Sequence, residues 1–172
     1  TYVMEFINGI QLTDEFKYAR YLSSRKRYNS LKNHMFLCGR WLKHFQQITG
    51  IKRGDSASLY GILDRCESRL QLIEKASDPR CPKDIKRKVM TFIQEQLNHI
   101  SDHDGLLCGR HSDFTPFNIL SGDDGITVID FLGYGIDALP VDLTKLLVYL
   151  KDESLSFTCS KKRIETLEEC FL

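Results

Sequence analysis

The chain has 172 residues, of which 42% are hydrophobic, 27% charged and 10% aromatic, with 11 Gly and only 4 Pro. With a mean hydropathy of −0.29, this composition excludes disordered, collagen-like and low-complexity classes, and the length suits one domain with a real core. No apolar run approaches a membrane span, and no signal-peptide pattern is read in the first residues. Six cysteines without a C-x-x-C pair are too sparse for a disulfide scaffold, so a reduced, cytoplasmic chain with scattered structural thiols is expected. The net charge of +1 hides an asymmetry: residues 1–100 carry 18 basic and 10 acidic side chains, residues 101–172 carry 6 and 13.

In chain order, Tyr2-Val3-Met4-Glu5-Phe6-Ile7 is β-prone and closes on the turn signal Asn8-Gly9. A strand so near the first residue, without an initiator Met, is expected to continue from upstream sequence. From Thr13 to Gly50 the spacing predicts helix, with Thr13 as cap and Asp14 and Glu15 in the first turn. Met35, Leu37, Cys38, Trp41, Leu42, Phe45 and Ile48 form its apolar stripe. A second helix opens at Asp55-Ser56 and breaks at Asp78-Pro79; its stripe includes Leu59, Ile62, Leu63, Cys66, Leu70 and Ile73. A third starts near Pro82 and runs through Ile100.

After Asp104 the elements shorten. Gly105–Gly109 is apolar between glycines, and residues 118–130 predict a β-hairpin turning at Ser121–Gly125. Pro140-Val141-Asp142 starts another helix, and a last one runs from Ser160 to Leu172, its pattern still unfinished there. The expected fold class is α+β and mostly helical, with a small β-hairpin.

The chemistry concentrates in Gly109-Arg110-His111-Ser112-Asp113-Phe114-Thr115-Pro116-Phe117-Asn118, followed by Val128-Ile129-Asp130-Phe131. H-x-D-x-x-x-x-N, then a hairpin, then Asp at a strand end is the spacing of a kinase catalytic loop with its metal-binding Asp. With 5 His, 14 Asp and 5 Asn in the chain, about 0.01 such octapeptides arise by chance. Phosphoryl transfer needs a carboxylate to receive or orient the acceptor hydroxyl, and Asp113 is placed for that. It also needs hard oxygen ligands for Mg²⁺, which Asn118 and Asp130 supply. Pro116 is read as stiffening the loop and His111 as bracing its backbone.

At these residues the chain resembles the aminoglycoside phosphotransferase and choline kinase superfamily, whose loop reads H-G-D-x-x-x-x-N before an I-D-F or I-D-W strand. The resemblance implies the C-terminal lobe of a protein-kinase-like fold. Residues 1–10 would be a hinge strand from an N-terminal lobe, and residues 11–172 the helical lobe. The catalytic loop would lie at 109–120 and the metal-binding strand at 126–133. Val3–Gly9 resembles the hinge, so the Glu5 carbonyl and the Ile7 amide would face adenine. Gly135–Leu143 resembles the family's G-D-P-x-x-D-L segment, which makes Asp142 an anchor for the loop. The implied activity moves the γ-phosphate of ATP, with Mg²⁺, to the hydroxyl of a small molecule; relatives use aminoglycosides, choline, ethanolamine, homoserine or sugars. Three residues depart from the pattern: Ser112 replaces Gly, Thr115 replaces His, and Phe117 precedes the Asn. A small lobe with a phosphate-covering loop and a Lys–Glu pair would lie upstream, and residues 1–172 alone are expected to be inactive. The alternative is a non-catalytic pseudokinase or binding module.

Rival readings attach to other residues. His99 and His103 at i, i+4, with Cys108 and His111, could be zinc ligands, although their spacing is loose. Ten Lys/Arg and no acid lie between Phe16 and Gly54. Such a run is most often a solvated helical face; its alternative uses are an anionic ligand, a membrane surface or nucleic acid. No RNA-binding signature accompanies it, and no nucleic-acid partner is expected. Asp152, Glu153, Glu165, Glu168 and Glu169 most often would face water, or else line a pocket for a cationic acceptor.

Overall fold

A computed structural model of the chain describes residues 7–21, 25–53, 56–77, 82–97, 99, 105–155 and 160–172. A short strand β1 (Ile10–Gln11) leads directly into α1 (Leu12–Tyr21), and the long α2 (Arg25–Thr49) follows. Then come β2 (Lys52–Arg53), α3 (Ser56–Ala76), α4 (Ile85–Leu97) and β3 (Leu106–Arg110). A single 3₁₀ turn (Pro116–Asn118) enters the hairpin of β4 (Ile119–Gly122) and β5 (Gly125–Val128). Next are β6 (Gly135–Ala138), α5 (Pro140–Ser154) and α6 (Lys161–Phe171). The chain is thus α+β and mostly helical, with two small antiparallel sheets ordered β1-β4-β5 and β2-β3-β6.

The core gathers around α2. Its Leu31, Met35, Cys38, Leu42 and Phe45 meet Leu146 and Leu150 of α5 and Ile164, Leu167 and Phe171 of α6. These positions recur every three or four residues, so each helix turns one apolar stripe inward. Burying a side chain such as Leu146, fully enclosed here, stabilises by about 2 kcal/mol. Close approach of α2 and α6 depends on Gly39, where a Cβ would stand 2.0 Å from the Phe171 carbonyl oxygen.

The expected strand over residues 2–7 lies, but for Ile7, outside the described residues; after Asn8-Gly9 a two-residue strand, Ile10–Gln11, pairs with Ser121 and Leu120 of β4. Several other expectations need correction. Thr13 lies inside α1 and is buried, its hydroxyl on the Gln11 side chain 3.4 Å away, so it is no N-cap. Ile48, assigned to the apolar stripe, is 67% exposed. In α3 only the lower part of the stripe is described: Leu70 is buried, while Ile73 is exposed because α3 packs on α4 away from the main core. β6 was not foreseen; it pairs with β3 from Leu107↔Ala138 to Arg110↔Gly135.

Two charged contacts fix the elements around the loop. Asp137, buried in β6, accepts from Arg110 and Arg65. Burial pushes its carboxyl up, but the Ala138 amide and the two guanidiniums outweigh this and hold it below the ordinary carboxylate value. Between α1 and α2, His34 Nδ1 sits 2.8 Å from Glu15 Oε2, both largely buried. The Glu15 hydrogen bond, helped by the Gly122 backbone, raises the imidazole above its ordinary 6.5 despite burial. Cys38, Cys66, Cys108 and Cys170 are free thiols, and burial pushes Cys38 up to about 12. Among the described residues no helix is long and apolar enough to cross a membrane.

The raised imidazole fixes a sign. His34 binds its proton more tightly folded than unfolded, so its stabilisation is complete below pH 6.5 and is lost as pH rises through the raised value. Thermal melts between about pH 6 and about pH 9 should show Tm falling, and His34→Gln should flatten that slope. An unchanged slope in the variant would mean that another group carries it.

Candidate active site

The site is built from a loop that leaves β3, crosses the start of α5 and enters the β4–β5 hairpin. Its first residues have no ladder partner, so their amides need another acceptor. Asp142, in the first turn of α5 and 2% exposed, provides it: Oδ2 accepts the His111 amide at 2.6 Å and Oδ1 the Ser112 amide at 3.0 Å. A carboxylate in the first turn also suits the helix dipole.

His111, fully buried, spans the loop. Its Nε2 lies 2.8 Å from the Ile129 carbonyl and its Nδ1 accepts the Asp113 amide at 3.3 Å. A carbonyl on one nitrogen and an N–H on the other require the Nε2–H tautomer. The ring is thus occupied on both sides, between the loop and the end of β5. Behind it lie aromatic faces: Trp41 stacks on Phe114 at 5.3 Å and on Phe45 at 5.0 Å, and Phe131 meets His111 edge-on at 4.4 Å.

Asp113 projects outward, exposed. Asn118 Nδ2 donates to the Asp113 carbonyl at 3.0 Å and to its Oδ2 at 2.8 Å. Both amide protons are therefore used, and the Asn118 side chain keeps Oδ1 as its open acceptor. The Asn118 carbonyl accepts the Ile129 amide at 3.0 Å, which continues the β4–β5 ladder and sets Asp130 one residue beyond that pair. Asp130 is exposed, takes φ +64°, and has no hydrogen-bonding or ionic partner among the described residues. The left-handed backbone is one that Asp tolerates better than most residues.

Asp113 and Asn118 are thus joined within one loop, and the backbone register sets Asp130 one residue from that loop, its carboxylate without a partner among the described residues. Among the described residues no three His, Cys, Asp or Glu side chains converge to hold a metal by themselves. A hard cation here would be held by Asn118 and Asp130 and completed by ligand oxygens and water. Of the rival zinc set, His111 has both nitrogens occupied and Cys108 is buried in β3, while His103 lies outside the described residues. Of the hinge pair, Glu5 is outside the described residues, and Ile7 is exposed ahead of β1.

An open cleft of about 500 Å³ adjoins Asp113, lined also by Thr115, Thr144, Lys145, Val148, Tyr149 and Asp152. Sequence reading passed over Lys145. Its ammonium lies 3.6 Å from Asp113 Oδ1 and donates to the Ser112 carbonyl. Lys145 follows Asp142 by three residues on α5, the spacing that puts both on one helical face; this was its only signal. Of the acidic set, Asp152 lines the cleft, whereas Glu165 lies on α6 beside Lys161 at 3.9 Å.

Ser112, where the motif it resembles carries Gly, takes φ +76°. It packs on Gly133, where a Cβ would fall 1.7 Å from the Ser112 Oγ. Left-handed backbone costs a non-glycine residue about 1 kcal/mol, so Ser112→Gly should raise unfolding free energy by up to about 1 kcal/mol in denaturant titration. Asp142→Ala strands the buried His111 amide and the half-buried Ser112 amide and should cost about 3 kcal/mol; Asp142→Asn, which keeps one acceptor oxygen, should cost less. Equal stability of wild type and Asp142→Ala would remove the clamp from the account.

Comparisons with protein-family models, with curated proteins and with solved structures return no match to this chain.

Proposed function

We propose that this chain is the helical C-terminal lobe of an ATP-dependent phosphotransferase of the aminoglycoside phosphotransferase and choline kinase type, acting on an alcohol hydroxyl of a small molecule. The observation that carries the reading is the Asp113–Asn118 hydrogen bond, beside an Asn118 oxygen and an Asp130 carboxylate that have no partner among the described residues. A loop built only for structure has no need to hold two acids and an amide at one exposed place.

In this reading the acceptor occupies the cleft beside Asp113. Its hydroxyl oxygen attacks the γ-phosphorus, the bond to the β–γ bridging oxygen breaks, ADP leaves, and the hydroxyl proton passes to Asp113. Asn118 holds the Asp113 carboxylate in place through Nδ2, and Lys145 offers positive charge at the same spot. Mg²⁺, held by Asn118 Oδ1 and Asp130, would supply charge neutralisation on the phosphates. Ile7, with Glu5, would meet adenine at the hinge. Catalysis of this kind is mostly positioning and electrostatics.

A second reading, a non-catalytic module of the same fold, is favoured by Lys145, which already engages the Asp113 carboxylate. Its signature would be nucleotide binding without ADP release.

In the full-length protein, supplied with Mg-ATP and a panel of alcohol acceptors, Asp113→Ala and Asp130→Ala should each lower acceptor-dependent ADP release by about 10³-fold. Melting temperatures should stay near wild type, since both side chains are exposed. Near-normal turnover in either variant would overturn the assignment.

A further inference from the structure

The basic side chains of α2 have no part in the site above. The inner face of α2 is apolar and holds the loop through Trp41 and Phe45. Helical spacing places Arg25, Lys26, Lys32, Phe36, Arg40 and Lys43 on the opposite side. α2 contains no Asp or Glu. Among the described residues none of these five cations pairs with a carboxylate; Lys32 lies over the Tyr28 ring and Arg40 over Phe36. Four of the five are exposed, and Phe36 among them is 51% exposed.

Beside this face runs a groove of about 350 Å³. Its apolar lining includes Leu42, Leu139, Leu143 and Phe171, and Arg40 and Lys43 border it. Cations without a carboxylate partner among the described residues, beside an apolar recess, match an anionic amphiphile in both charge and polarity. A nucleic acid would satisfy the cations but leave the recess wet. A lipid layer satisfies both at once.

We infer that the outer face of α2 docks on an anionic lipid bilayer, its cations on the headgroups and the neighbouring groove taking acyl chain. The inference is independent of the phosphotransferase reading, since none of these residues belongs to the loop or cleft.

The test is co-sedimentation of the full-length protein with phosphatidylcholine vesicles, with and without phosphatidylserine. Retention is expected only with phosphatidylserine. It should fall as ionic strength rises from about 0.1 M to about 1 M and the Debye length shrinks from about 10 Å to about 3 Å. Arg40→Gln/Lys43→Gln should lower the partition coefficient about 25-fold, about five-fold per cation. If that variant melts abnormally, Lys26→Gln/Lys32→Gln, away from the groove, should show the same drop. Equal retention on both vesicle types, retention on neither, wild-type binding by a natively melting variant, or displacement from vesicles by RNA would each overturn it.

Discussion

Two consecutive amides, those of His111 and Ser112, turn toward one buried carboxylate on a helix that comes later in the chain, and the geometry of the loop follows from that turn. Asp142 is nearly free of solvent, so its charge is met by the two N–H groups and the first turn of α5 rather than by water. The clamp in turn explains how Ser112 persists in left-handed backbone, a conformation serine does not choose by itself. Once Ser112 is held there, its carbonyl is presented to Lys145 and the chain reverses so that Asp113 leaves the core while Phe114 enters it. One residue outward, one inward: the exposed carboxylate is anchored by its fully buried neighbour.

The second support comes from α2, which has two unrelated faces. Its inner side supplies Trp41 and Phe45, and Trp41 lies nearly parallel to Phe114 at 10°. These rings make a rigid floor beneath His111, and His111 ties the loop to the carbonyl just before Asp130. Displacement of the hairpin would therefore break a hydrogen bond at the loop, and displacement of the loop would open the aromatic stack. The outer side of the same helix carries cations that make none of these contacts. Sequence on the two faces is thus constrained by different physics, packing on one and charge on the other.

What sequence made legible follows the range of the interactions concerned. The hairpin was readable because alternation and a Gly-Asp-Asp-Gly turn are local, and its pairing Ile119↔Val128 is close in sequence. The H-x-D-x-x-x-x-N spacing placed Asp113 and Asn118 together for the same reason, being one loop. β6 was not readable: Gly135–Ala138 has no strong β propensity, and it forms because β3, 27 residues earlier by the Gly109↔Ile136 register, offers an edge. Thr13 has the type of an N-cap, but strand β1 runs straight into α1 and leaves no free turn for it to close. Lys145 was missed because its meaning depends on where Ser112 and Asp113 arrive, which no local pattern in α5 encodes.

Lys145 also bears on the charge balance of the loop. Asp113 and Asp130 are both exposed, and two such carboxylates repel any polyphosphate that approaches. An exposed Lys–Asp pair contributes about 1 kcal/mol or less to stability, so folding gives little reason for Lys145 to be where it is. Its position makes more sense electrostatically: fixed by the Ser112 carbonyl, the ammonium remains beside Asp113 without needing the carboxylate to hold it. Were the chain a phosphotransferase as proposed, a cation tethered in this way would offset one of the two acids, and a bound metal ion would offset the other. The backbone that Asp142 bends is then the same backbone that holds Lys145, so one turn of α5 sets both the shape of the loop and its charge.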